Sequence, residues 1–361
     1  MNLEFSKLFK HSRAISDISP SGEYLAIAID DRLTVRQFDS LKILNIFETK
    51  YSKQPEITEI KWSPNSKHVL TANYKEDKVH VWDAFGSSKN FVFGFEDQVQ
   101  GIIYANWSPL GNAIYTFSEF KRNIFEILTI SRTVLKNIFS SLNSRIKRIY
   151  TKYLFIDGIS FHPKGDFLAV LQRFEHKEQL GIYSTISWEC LKIVPLNTLD
   201  SQAVEWSTCG NCICVWDTIG NYNIQIFNSI GILKNTFAQP DNELGIKTVS
   251  WSPTGQFLAI GSFDQKVKIL FNVTWKPISS FTLKQNISNN GTEIFSEKVK
   301  QSSNYTGNYP PEIKFEHSLS PVNIEKYVPS DLSKPIIKAG VCKLSFNSDG
   351  TLLLCINGKR F

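Results

Sequence analysis

A five-residue signature recurs seven times along the 361-residue chain. The copies are ISPSG (18–22), WSPNS (62–66), WSPLG (107–111), FHPKG (161–165), WSTCG (206–210), WSPTG (251–255) and FNSDG (346–350). Measured from the last residue of each, the intervals are 44, 45, 54, 45, 45 and 95. A period near 45 marks one supersecondary unit repeated in an array. Each unit of such an array buries its apolar face against its neighbours.

The sixth copy shows what one unit is. Residues 247–251 alternate polar and apolar and read as a short strand. Ser252 to Gly255 is a turn, in which Pro253 sets φ and Gly255 accepts the left-handed conformation. FLAIG (257–261) is an unbroken apolar run, suited to a strand buried on both faces. A second turn, carrying Asp264, leads into KVKIL (266–270), which alternates with period two. WKPISSFT (275–282) supplies a fourth, outer strand, and Pro277 is tolerated at such an edge. Four short antiparallel strands in about 45 residues make one blade of a β-propeller. The ring that opens six of the seven copies, Ile18 standing in the first, fills the wedge between neighbouring sheets, so Trp251→Ala is expected to cost about 3–5 kcal/mol.

Third strands end in a telling dipeptide. Trp82-Asp83 closes VHVWD, and the same slot reads LTVRQFD (33–39), IQIFN (224–228) and VKILFN (267–272). With these strand ends and the period, the chain resembles the WD40-repeat family. The resemblance implies an all-β, WD40-type β-propeller of four-stranded antiparallel blades, six complete and a partial seventh. Trp216-Asp217 falls on a second strand and is not the motif. The Gly-His dipeptide common in the family is absent. Its buried His/Ser/Trp/Asp network is therefore not assumed, and apolar packing is expected to carry blade stability.

The layout divides into blades over 1–284, an insertion over 285–338 and a partial blade over 339–361. The insertion is rich in Asn, Ser, Pro, Lys and Glu, and reads as a mostly disordered excursion. Its short apolar islands, 313–315 and 322–328, are candidate docking strands. The last unit has two strands, which suggests a truncated product, unless residues 3–9 pair into it as a closing strand.

Composition limits the function classes. The net charge of +6 is mild for this length, so no nucleic-acid partner is expected. Acidic residues such as Glu119, Glu126 and Asp157 flank the one basic cluster. That cluster is Arg145, Lys147, Arg148 and Lys152, inside the long 54-residue interval. It reads either as a solvated loop or outer strand, or as a docking patch for an acidic partner. On the second reading, reversing charge at Arg145, Lys147 and Arg148 weakens partner capture and leaves thermal stability nearly unchanged. Trp275 is a second candidate contact, placed at the start of an outer strand; the alternative is packing against a neighbouring loop. No apolar run reaches the 18 residues of a membrane span, and the first 13 residues lack a signal-peptide core. A cytoplasmic or cytoskeletal location without membrane insertion follows as the expectation. Six scattered cysteines, including a Cys209-x-x-Cys212 pair with no second pair at zinc-site spacing, read as reduced thiols.

No catalytic, cofactor or metal site is expected. The six histidines are dispersed among repeats, and no GxSxG, HExxH, phosphate-loop or paired-carboxylate motif occurs. A phosphoinositide-binding propeller is the rival reading. That family carries a Phe/Leu-Arg-Arg-Gly motif, and here the nearest string is Phe120-Lys121-Arg122-Asn123, with one Arg and the Gly missing.

Within the WD40 family, residues 204–218 and 244–281 are similar to its centrosomal, spindle-pole branch. The early regular repeats and the insertion after VTWK agree with that layout. The resemblance implies a non-enzymatic adaptor at centriolar satellites and spindle poles. Its partner would be a coiled-coil protein related to the synovial-sarcoma-X breakpoint interacting protein. The implied roles are microtubule minus-end anchoring, spindle assembly and ciliogenesis.

Overall fold

The computed structural model describes residues 15–49, 56–86, 93–95, 101–119, 124–129, 146–152, 156–239, 243–283, 286–287, 293–300, 312–318, 322–323 and 340–358. The fold is all-β, built of four-stranded antiparallel sheets in which consecutive strands pair. Blade 1 spans 16–48, blade 2 59–95, blade 3 102–150, blade 4 159–195, blade 5 201–238 and blade 6 246–282. A two-stranded seventh sheet pairs Val341–Phe346 with Leu353–Asn357. The chain forms two compact units, Met1–Asp217 with Ile224–Thr236, and Thr218–Asn223 with Phe237–Phe361.

The core lies between blades, as the signature rings require. Ala26, Leu33, Val35 and Phe47 of blade 1 bury against Ile60, Trp62, Val69 and Trp82 of blade 2. The next layer joins Leu70, Ala72 and Val81 of blade 2 to Ala105, Trp107 and Ile114 of blade 3. Val69 and Leu70 are neighbours in one second strand, yet they serve layers on opposite sides. Alternation sends successive side chains to opposite faces, which is why second strands read as unbroken apolar runs. In the second unit, Ala259 and Val267 pack against Val341 and Leu344 of the seventh sheet.

The signature turn is built as its residues dictate. Gly22, Gly111, Gly165, Gly210, Gly255 and Gly350 take φ between 67° and 81°, where a Cβ is strained. Ser66, in the glycine slot of the second copy, takes φ 57°. The serine at the second position has a role the sequence reading missed. Its hydroxyl accepts the N–H five residues on: Ser19 from Tyr24 at 3.0 Å, Ser63 from His68 at 2.9 Å and Ser108 from Ala113 at 3.1 Å. Ser207 does so from Cys212 at 3.0 Å and Ser252 from Phe257 at 3.0 Å. Recurrence of Ser at that slot was the available signal.

The period itself appears as contacts between neighbouring blades of the first unit. Trp62 donates its backbone N–H to Asp17 Oδ2 and its indole N–H to Asp17 O, each at 3.0 Å across 45 residues. Trp107 donates its indole N–H to Lys61 O at 3.1 Å, and Trp206 its backbone N–H to Ser160 Oγ at 2.9 Å, both across 46 residues. Trp82, the ring of the Trp-Asp pair, donates to Thr71 Oγ1 at 2.8 Å within its own blade.

Within 285–338, the described residues include two short ribbons. Ile294–Lys300 and Glu312–Ser318 pair over seven residues, and Asn286–Ile287 pairs with Val322–Asn323. Alternation in IFSEKVK and EIKFEHS suits strands, and that pattern was hidden by the polar composition around it. Of the apolar islands, 313–315 lies within this ribbon and 324–328 lies outside the described residues, as do residues 3–9.

Candidate protein-interaction surface

The basic cluster sits on the outer strand of blade 3, Ile146–Tyr150, and just beyond it. Ile149 is buried, whereas Lys147, Arg148 and Tyr150 are exposed. Arg148 lies opposite Glu126 in the sheet register. Its Nε stands 2.8 Å from Glu126 Oε1, and the Glu126 side chain is 1% exposed against 55% for Arg148. Arg148 therefore neutralises a buried carboxylate and presents its remaining guanidinium surface to solvent. Lys147 donates from Nζ to the carbonyl of Ser187, tying this strand to a turn of blade 4.

Lys152 does not join that surface. Its side chain is buried, and Nζ donates to Glu178, to Asp200 Oδ1 at 2.7 Å and to Ser201 O at 2.7 Å. Arg173 reaches the same two carboxylates at 2.7 and 3.1 Å. Thr198 Oγ1 and the Ser201 backbone N–H donate to the second Glu178 oxygen at 2.8 and 2.7 Å. Burial pushes the Glu178 pKa up. The hydrogen bonds from Lys152, Ser201 and Thr198 outweigh that and hold it at about 2. Lys152 is thus an internal tie between the ends of blades 3, 4 and 5. Arg145 lies outside the described residues.

Trp275 is also internal. It falls in the turn before the outer strand, which begins at Pro277 rather than at Trp275. It takes φ 55°, is buried, and packs edge-on against Trp251 with ring centroids 6.2 Å apart. The structure therefore joins Lys147 and Arg148 on one surface and removes Lys152 and Trp275 from it.

None of the six cysteines forms a disulfide; Cys209 is exposed and Cys212 buried. Among the described residues, no three His, Cys, Asp or Glu side chains stand where they would hold a metal ion. No described helix is long and apolar enough to cross a membrane. Phe120-Lys121-Arg122-Asn123 lies outside the described residues.

Sequence comparison now bears on the same blades. The family profile described as "WD domain, G-beta repeat" matches residues 42–83 and 232–269. Each match runs from the outer strand of one blade through the third strand of the next. The WD repeat-containing protein WRAP73 of Mus musculus is 30% identical over 369 aligned residues, covering 98% of this chain and 76% of its own length. The chain belongs to the WD40-repeat family. An uncharacterized WD repeat-containing protein of Schizosaccharomyces pombe, C32H8.09, is 22% identical over 76% of this WD40 chain and 56% of its own. Kuenenia stuttgartiensis hydrazine synthase aligns over 70% of this chain and 75% of its own at 16% identity, with a TM-score of 0.38. WD40-repeat proteins are typically non-enzymatic scaffolds that mediate protein–protein interactions, and outer strands here such as Cys190–Pro195 and Pro277–Thr282 are largely exposed.

Proposed function

We propose that this WD40 protein is a non-enzymatic adaptor that binds a coiled-coil partner at the centrosome or spindle pole. There it would support microtubule minus-end anchoring, spindle-pole organisation and ciliogenesis. The observation that carries the reading is the 30% identity to a WD repeat-containing protein across 98% of the chain. The similarity of residues 204–218 and 244–281 to the spindle-pole branch supports it further. Propeller blades offer strand edges and turns held by a buried core, so binding spreads over several blades around a few anchoring side chains.

Affinity purification and proximity labelling of the full chain in dividing cells test the proposal. The expected result is enrichment of a coiled-coil spindle-pole protein together with a minus-end-directed kinesin, and location at the poles. Enrichment of neither would overturn it. Lipid-selective, salt-resistant flotation with phosphoinositide liposomes would favour the rival phosphoinositide reading instead.

A further inference from the structure

Blade 6 and the seventh sheet, both in the second compact unit, meet at two matching irregularities. In the first strand of blade 6, Ile246–Trp251, Ile246 pairs Ser262 and Thr248 pairs Gly261, so Lys247 is the extra residue of a β-bulge. In the first strand of the seventh sheet, Val341–Phe346, Val341 pairs Asn357 and Lys343 pairs Ile356, so Cys342 is the extra residue there. Each stands four residues before the ring of its own signature, Trp251 or Phe346. A bulge re-aims the side chain it carries. These two are aimed at one another: Lys247 Nζ donates to Cys342 Sγ at 3.1 Å, across 95 residues of sequence.

The surroundings hold that approach. Lys247 Nζ lies 5.6 Å from the centre of the Phe263 ring, within cation–π reach. Cys342 Sγ donates weakly toward Gly340 O at 3.7 Å. The two backbones are pressed together. A Cβ on Gly261 would lie 2.7 Å from Val341 Cβ, and one on Gly340, at φ 109°, would lie 2.6 Å from Phe263 Cα. Ala259, Val267, Val341 and Leu344 bury between the same two sheets. The pair is nevertheless open to small reagents, since Lys247 and Cys342 are both half-buried. Cys212 also has a lysine near it, Lys234 Nζ at 3.6 Å, but that thiol is buried and burial pushes its pKa up.

We propose that Lys247 and Cys342 are an oxidative crosslinking pair, in which peroxide couples the lysine nitrogen to the cysteine sulfur and ties the seventh sheet covalently to blade 6. The proposal stands apart from the adaptor reading. The Cys342 thiolate attacks one oxygen of hydrogen peroxide. An S–O bond forms, the O–O bond breaks, and the hydroxide released takes a proton from solvent to become water. Sulfur is oxidised by two electrons, and the peroxide is reduced by the same two. Lys247, having given its extra proton to solvent, attacks the sulfenic sulfur through its amine. An N–S bond forms and the S–O bond breaks. The departing hydroxide takes the proton that nitrogen loses and leaves as a second water. The product is a sulfenamide, and a thiol reductant returns both side chains to their starting forms.

Hydrogen peroxide treatment of the full chain, followed by tryptic digestion and mass spectrometry, tests it. The expected result is a linked pair of peptides carrying Lys247 and Cys342, lighter than their sum by two hydrogen atoms and lost on adding dithiothreitol. Trypsin should no longer cleave after Lys247 in the linked form. Lys247→Arg keeps the charge but offers no amine. It is expected to abolish the link, to leave the Cys342 sulfenic acid trappable by dimedone, and to melt with the reduced wild type. Oxidised wild type should melt several degrees higher, because the link closes a loop across 95 residues. Cys355, in the same sheet with its thiol pushed up by burial, is the internal control. Oxidation of Cys342 no faster than that of Cys355 overturns the proposal. So does a sulfenic acid at Cys342 that persists uncoupled in the wild type, a link from Cys342 to a different lysine, or a linked pair that retains an oxygen atom.

Discussion

The carboxylate of Asp17 accepts the backbone N–H of Trp62 at 3.0 Å, and the Asp17 carbonyl accepts the indole N–H of the same residue. One residue thus satisfies both donors of the signature ring that opens the next blade. Because Trp62 is buried, Asp17→Ala leaves its backbone donor without an acceptor. That is expected to cost about 1–3 kcal/mol. Asp17→Asn keeps an acceptor oxygen and is expected to lose less. Urea denaturation of the two variants checks the order, and equal losses would rule out the hydrogen bond as the cause.

Ser66 is the one signature residue in the glycine slot that carries a side chain. Its left-handed backbone costs about 1–2 kcal/mol. Its hydroxyl accepts the Ser21 N–H at 3.0 Å across 45 residues, which returns about 1 kcal/mol. Ser66→Gly trades one against the other and is expected to leave stability within about 1 kcal/mol of wild type. Ser66→Ala keeps the strain and drops the bond, so it should melt earlier than either.

The two exposed basic residues of blade 3 should part company on charge reversal. Lys147→Glu loses a surface hydrogen bond to a carbonyl and is expected to change stability by less than about 0.5 kcal/mol. Arg148→Glu places a second carboxylate against buried Glu126 and is expected to cost on the order of 2–3 kcal/mol. The sequence reading treated these positions as interchangeable surface charges. A partner-binding assay using Arg148→Glu must therefore be accompanied by a thermal melt.

Two carboxylates give opposite pH dependences. Glu178 is held at about 2, below its ordinary 4.5. Its contribution, on the order of 3 kcal/mol, is complete above pH 4.5 and is lost as pH falls toward 2. Glu205 is raised to about 7 by burial. The folded state then binds the proton more tightly than the unfolded chain, so stability declines as pH rises from 4.5 to 7. Denaturation between pH 3 and 8 should show Glu178→Gln flattening the acid limb and Glu205→Gln flattening the near-neutral one. A Glu205→Gln curve that still falls between pH 4.5 and 7 would contradict the assignment.

Trp275→Ala is expected to behave as a core deletion, costing about 3–5 kcal/mol. Its ring is buried against Trp251, so partner binding measured on the folded fraction should be unchanged. Intrinsic fluorescence during denaturation separates the two effects.

The repeat was legible because a signature on a fixed period constrains every copy at once. Apolar second strands, left-handed glycines and buried Trp62, Trp107, Trp206 and Trp251 all follow from residues read one blade at a time. The paired strands within the insertion were less legible, since a short alternating stretch in polar surroundings carries little signal. The candidate surface was legible only in part. Lys147, Arg148 and Lys152 are neighbours in sequence, and nothing in that local run tells that Lys152 turns inward. Its partners Glu178, Asp200 and Ser201 come from two later blades.

What the sequence determined by itself was the unit: four strands, a turn whose geometry is written in Ser, Pro and Gly, and a ring to bury between sheets. Those features depend on residues within one period, where local propensity and alternation decide the outcome. Only the tertiary structure decided which side chains remain outside. Arg148 faces solvent because Glu126 lies beneath it in the sheet, and Trp275 is buried because Trp251 meets its turn. Each of these depends on contacts between strands that sequence spacing keeps apart, and exposure is fixed by those neighbours.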